Sequence, residues 1–228
     1  MSNKIFLDRR RLLGMAPALT AGLGVAGCLP SPVPPKPYNP VFFTGAEWDF
    51  VVAAVGRLIP SEGAGPGGIE AGVPEFIDRQ MESAYGHGAY YYMKGPFKTN
   101  AKPTLGNQLP FVPRDIYRLG IYAANGQAQA TQGKQFSSLS ANDQDAFLKG
   151  MEHGSIRLRP VPAPAFFSQL LTNTREGYFA DPLYGGNRGM VAWKWIGFPG
   201  ARADFTDWID RAGDPYPYGP VSVSGETG

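Results

Sequence analysis

Few residues of this 228-residue chain have the types and spacing that chemistry needs. Residues 63–68, GAGPGG, match G-x-G-x-x-G letter for letter. A dinucleotide loop of that pattern leaves a strand and opens a helix whose first amides hold the pyrophosphate. This one follows Pro60, which ends a helical stretch, and contains Pro66, which has no amide to donate. It reads as a connecting loop. The two histidines, His87 and His153, lack the spacing of an H-E-x-x-H zinc pair. The C-x-x-C-H attachment pattern of a c-type haem and the G-x-S-x-G nucleophile turn are both missing. Glu62, Glu70, Glu75 and Asp78 are numerous enough to pair for acid–base work. Surface solvation and helix-start capping account for them more simply. The expectation is a chain with no catalytic, cofactor-binding or metal-binding residue of its own.

The chemistry that does stand out belongs to export. Arg9 and Arg10 sit side by side before a weakly hydrophobic, Gly- and Ala-rich run over residues 12–26. That pattern reads as a twin-arginine signal, whose translocase carries cargo already folded. Val25, Ala26 and Gly27 precede Cys28, the only cysteine. Two readings of Cys28 stay open: the lipid-bearing first residue of a lipoprotein, or a bystander near a plain cleavage site. Either places the chain on the periplasmic side of the inner membrane, with or without a lipid anchor. Lys4, Arg9, Arg10 and Arg11 also inflate the formal charge of +2. Without them and Asp8, 17 basic and 18 acidic residues remain, and no basic patch marks nucleic acid as a partner.

Signal and cargo are mismatched. Folded export suits proteins that take up a cofactor in the cytoplasm, and this chain offers no place for one. The economical reading is that a cofactor-bearing partner binds this chain and leaves on its signal.

The elements that position everything else read as helices. After the 1–28 signal, a Pro-rich tether covers residues 29–43, a helical domain residues 44–212 and an extended tail residues 213–228. Thr44 and Glu47 form a capping box for a first helix with Trp48, Val51, Val52, Val55 and Ile59 on one face. Pro74 starts a second, with Phe76, Ile77 and Met81 as its apolar side. Pro113 opens a third reaching about residue 132. Ser140 and Asp143 start a fourth, and a fifth runs over residues 163–177. A short sixth is expected around residues 204–211. No stretch alternates as a strand does. The fold class is therefore all-α, five or six helices joined by long Gly-, Pro- and aromatic-rich loops.

One further stretch is informative. Residues 177–200 place six aromatics among six glycines and two prolines, a composition expected to exclude an ordinary helix. Large aromatics with flexible neighbours suit a contact surface, although they could equally cover the chain's own helices.

At this point the sequence resembles a known family, the gluconate 2-dehydrogenase subunit 3 family. The matching pieces are the twin-arginine start, E-W-x-x-x-x-A-x-x-x-R-L-I-P at residues 47–60, GPGGIEAGVPEFIDRQM at residues 65–81, and DPLYGGNRGMVAWKWIGFPG at residues 181–200. The last block is the most specific. The resemblance implies a small subunit with no redox centre, needed for export and assembly of a large FAD-containing subunit. That partner would oxidise a sugar, sugar alcohol or sugar acid, and a multihaem cytochrome c subunit would pass the electrons to quinone. Tyr184, Asn187, Arg188, Trp193 and Trp195 are then the expected partner interface. Two alternatives stand beside this: a stand-alone exported binding lipoprotein, and an enzyme using the loop carboxylates.

Overall fold

Helix α1, Gly45–Leu58, begins where the Thr44 backbone N–H and hydroxyl both donate to the Glu47 carboxylate, at 2.8 and 2.9 Å. The computed structural model describes residues 38–61, 65–98, 101–106 and 108–228. Arg9, Arg10, Cys28, Glu62 and most of the Pro-rich stretch lie outside the described residues. Five further helices follow: α2 Val73–Glu82, α3 Pro113–Gln132, α4 Ala141–Glu152, α5 Ala163–Phe179 and α6 Val191–Ile196. Among the described residues there is no strand, only isolated bridges from Val221 to Gly200 and Thr227. The fold is all-α.

The starts of these helices obey local chemistry. Pro113 stands in the first turn of α3, where a missing amide costs nothing, and Gly133 closes the helix at φ 68°. The Ser140 hydroxyl accepts from the Asp143 N–H at 3.2 Å ahead of α4. Helix α5 packs against α2, α3 and α4 and so forms the spine. Phe50 of α1 lies 4.6 Å from Phe136 and 5.8 Å from Phe166, ring centre to ring centre. Each such buried ring contributes about 1.5–3 kcal/mol. Gly120 of α3 lets the Phe166 ring rest on the helix backbone: a Cβ there would stand 2.6 Å from that ring.

Several sequence expectations need correction. The buried face of α1 carries Phe50, Val51, Ala54 and Val55; Trp48 and Ile59 pack against the same core partly buried, and only Val52 of the expected face does not join it. The sixth element over residues 204–211 shrinks to a 3₁₀ turn, Thr206–Trp208. A true sixth helix, α6, lies instead inside the Gly-rich stretch expected to exclude one. Its six residues, VAWKWI, contain no glycine; the glycines at 189 and 197 bracket it.

The chain ahead of α1 is also held firmly. Asp78 of α2 is fully buried, which overturns its assignment to the solvated surface. Its carboxylate accepts from the Val41, Phe42 and Phe43 N–H groups at 2.7, 3.0 and 2.9 Å, and from the Tyr38 hydroxyl at 2.8 Å. Three amides and a phenol replace the water the charge has lost. Burial, and next the Asp78 carboxylate, push the Tyr38 phenol up to about 12. Phe42 and Phe43 are thereby fixed in the core ahead of the Thr44 cap.

Candidate partner interface

Residues 181–200 begin where α5 stops. Asp181 caps a 3₁₀ turn, Pro182–Tyr184, by accepting from the Leu183 N–H at 3.0 Å. Its second oxygen accepts from the Val223 N–H at 2.7 Å, tying the C-terminal tail to the turn. Gly186 then runs against α5 so closely that a Cβ would overlap the Gly177 carbonyl oxygen. Gly186→Ala should therefore lower the melting temperature, as overpacking here costs about 1–3 kcal/mol. Unchanged thermal unfolding of that variant would show that the turn yields freely.

Asn187 adopts the left-handed conformation at φ 44°, which Asn tolerates better than most residues. Its side chain is buried, and Oδ1 accepts from the Ala192 N–H at 2.8 Å in the first turn of α6. Met190, also left-handed at φ 55°, is fully buried beside it. These two bends aim α6. Trp193 turns inward, 6% exposed, and its indole N–H donates to the Phe179 carbonyl at 2.9 Å. Trp195, two positions on along the helix, is 53% exposed and lies over Gly65, where a Cβ would stand 3.3 Å from its ring.

The five expected interface residues therefore divide. Asn187 and Trp193 are spent inside the chain, where they shape the block. Tyr184 and Trp195 face outward. Arg188 is half exposed: its guanidinium pairs with Glu75, and its N–H donates to the Ala71 carbonyl at 2.9 Å. Leu183, Ile196 and Phe198 are exposed as well, as is Phe179 at the end of α5. Leu183 and Ile196, neither aromatic nor polar, were not among the expected interface residues. Each of these apolar side chains is exposed among the described residues.

The block also docks on the second motif-bearing segment. Besides the contacts of Arg188, the Tyr178 hydroxyl donates to the Pro66 carbonyl at 2.7 Å. Of the carboxylates weighed for acid–base work, Glu62 lies outside the described residues and the other three have partners. Glu70 accepts from the Gly67 N–H at 3.0 Å and the Ser61 hydroxyl at 2.9 Å, and these, the amide first, hold its carboxyl below the usual range. Glu75 is in its ion pair and Asp78 in its clamp. His87 stands against Arg114, and His153 Nδ1 lies 2.8 Å from the Lys149 carbonyl. Among the described residues no three His, Cys, Asp or Glu side chains gather as a metal site would require.

A model of one protein family, gluconate 2-dehydrogenase subunit 3, matches residues 45–200. The chain belongs to that family. No curated protein and no solved structure matches it. The region shared with the gluconate 2-dehydrogenase subunit 3 family starts at the first residue of α1 and takes in all six helices and the whole 181–200 block. The tail over residues 201–228 lies beyond it, tied back through Asp181 and the Val221–Gly200 bridge.

One concavity was not signalled by any motif. A cleft of about 650 Å³ is bordered by Tyr85, Tyr91, Lys102, Gln169 and Glu176. Beside it Asn173, fully buried, donates to Tyr85 and Glu176 at 2.8 Å each and accepts from Tyr117 at 3.1 Å. Burial pushes the Tyr91 phenol up to about 12 and that of Tyr117 well above the usual range.

Proposed function

We propose that this chain is the non-catalytic small subunit of a membrane-bound flavin dehydrogenase complex that oxidises a sugar, sugar alcohol or sugar acid. The observation that carries the reading is the exposure of five large apolar side chains, Leu183, Tyr184, Trp195, Ile196 and Phe198, within the 181–200 block. That block closes the region the family model matches. A partner that covers it would bury Trp and Tyr, the side chains that dominate binding energy in protein interfaces. In this reading the partner is the large subunit, which holds the FAD, and a multihaem cytochrome c subunit takes the electrons to quinone. The small subunit contributes a folded surface and the export signal.

Folded export explains why the two must meet early. The large subunit binds its flavin in the cytoplasm, docks on this chain, and crosses the membrane under the direction of Arg9 and Arg10. Cys28 then either carries a lipid or lies at the cleavage point. Arg9→Lys combined with Arg10→Lys should leave both this chain and the large subunit in the cytoplasm. Fractionation of cells followed by blotting of both chains reads the outcome. Arrival of the large subunit in the periplasm while this chain is retained would end the shared-export reading.

A further inference from the structure

Between Glu82 and Asp115 the chain carries no acidic residue, yet it holds Lys94, Lys98 and Lys102 at a spacing of four. All three are exposed, and none makes an ion pair with another described residue. Just ahead of Lys94 lie three consecutive tyrosines, in the run AYYYMKGPFK of residues 89–98. The middle one, Tyr91, turns inward against Tyr85 with ring centres 6.2 Å apart. Its neighbours Tyr90 and Tyr92 point outward and are 76% and 80% exposed. Phe97 is exposed on the same loop.

The base of the loop is pinned. The Arg114 N–H donates to the Gly86 carbonyl at 3.2 Å, and a Cβ on Gly88 would run into the Val112 side chain. A fixed base with outward phenols and unpaired ammonium groups is a presented surface.

We propose that this loop seats the protein on an anionic lipid surface, with Tyr90 and Tyr92 at headgroup depth and Lys94 and Lys98 against lipid phosphates. The composition favours lipid over protein. Tyrosine suits either surface, but lysine is depleted in protein interfaces, so the lysines decide between the two. Tyrosine and lysine together are what the headgroup layer accepts: the ring lies among the headgroups and the long stem lets the charge reach phosphate. Among the described residues no helix is long and apolar enough to cross a membrane, so the contact is a surface one. It uses a face separate in sequence from the partner interface and does not depend on the proposed function.

Hydrogen exchange of the full-length chain tests this, because it resolves the loop from the N-terminal signal, which binds membranes by itself. Vesicles of phosphatidylcholine containing phosphatidylglycerol should slow exchange over residues 86–98, and high salt should abolish the effect. Each lysine near such a surface raises partitioning about fivefold. Tyr90→Ser, Tyr92→Ser, Lys94→Gln and Lys98→Gln combined should therefore remove the protection while leaving the melting temperature unchanged. Absence of protection in the wild type overturns the proposal, as does equal protection on phosphatidylcholine alone. Protection that appears only on adding the dehydrogenase partner, and not with vesicles, assigns the loop to a protein contact and also overturns it.

Discussion

Asp78→Asn should lower the stability of the folded body by about 3 kcal/mol, a fall in melting temperature of roughly 6–12 °C for a domain of this size. The substitution preserves volume, so packing of α2 is not at issue. What changes is the pairing of donors. Oδ1 of Asp78 serves the Phe42 and Phe43 N–H groups, and Oδ2 serves the Val41 N–H and the Tyr38 hydroxyl. An amide keeps one oxygen and sets an NH₂ against the remaining two donors, of which the Val41 N–H has no other acceptor among the described residues. Tyr38→Phe removes a single bond to the charge and keeps the ring against Trp48, at 5.4 Å, and beneath Arg79. It should therefore cost clearly less than Asp78→Asn. Chemical denaturation of both variants checks the order. A smaller loss for Asp78→Asn than for Tyr38→Phe would mean that the three backbone amides find water instead, and that the clamp is not what holds Phe42 and Phe43 in the core.

That clamp shows where sequence reasoning stops. The acceptor, Asp78, is visible in the sequence, but its partners are backbone amides some 36 residues away, and an amide has no side-chain signature. A carboxylate on a helix looks solvated until the segment that covers it is known. The face of α1 was obscured differently. Val51, Val52, Ala53, Ala54 and Val55 follow one another without a polar break, so helical periodicity alone does not separate Val52 from Ala54. Helix starts were legible because their chemistry is local: Thr44 with Glu47, Pro74, Pro113, and Ser140 with Asp143 all act within one turn. Helix α6 was hidden by its setting. Glycine density around it argued for loop, while the six residues of the helix itself have ordinary helical propensity. Without α6, nothing distinguishes the inward Trp193 from the outward Trp195.

Those two tryptophans give the sharpest test of the proposed interface, because one helix presents them in opposite roles. Trp193→Ala removes a buried ring and the hydrogen bond to the Phe179 carbonyl, and should cost about 3–5 kcal/mol of folding stability. Trp195→Ala removes a ring that is 53% exposed, so thermal unfolding of the isolated chain should barely move. If the large flavin subunit covers that ring, Trp195→Ala weakens the complex by about 2 kcal/mol or more, some thirtyfold in affinity. Arg188→Ala makes a useful companion: its ion pair with Glu75 is half exposed and is worth about 1 kcal/mol at most to the fold. Co-purification of the flavoprotein and the melting temperature of the small subunit are measured on the same three variants. Loss of the flavoprotein with Trp195→Ala at unchanged melting temperature places the partner on the outward face of α6. Full retention with Trp195→Ala, alongside a destabilised Trp193→Ala, would confine the block to folding, and the exposed Leu183 and Ile196 would then lie outside the contact.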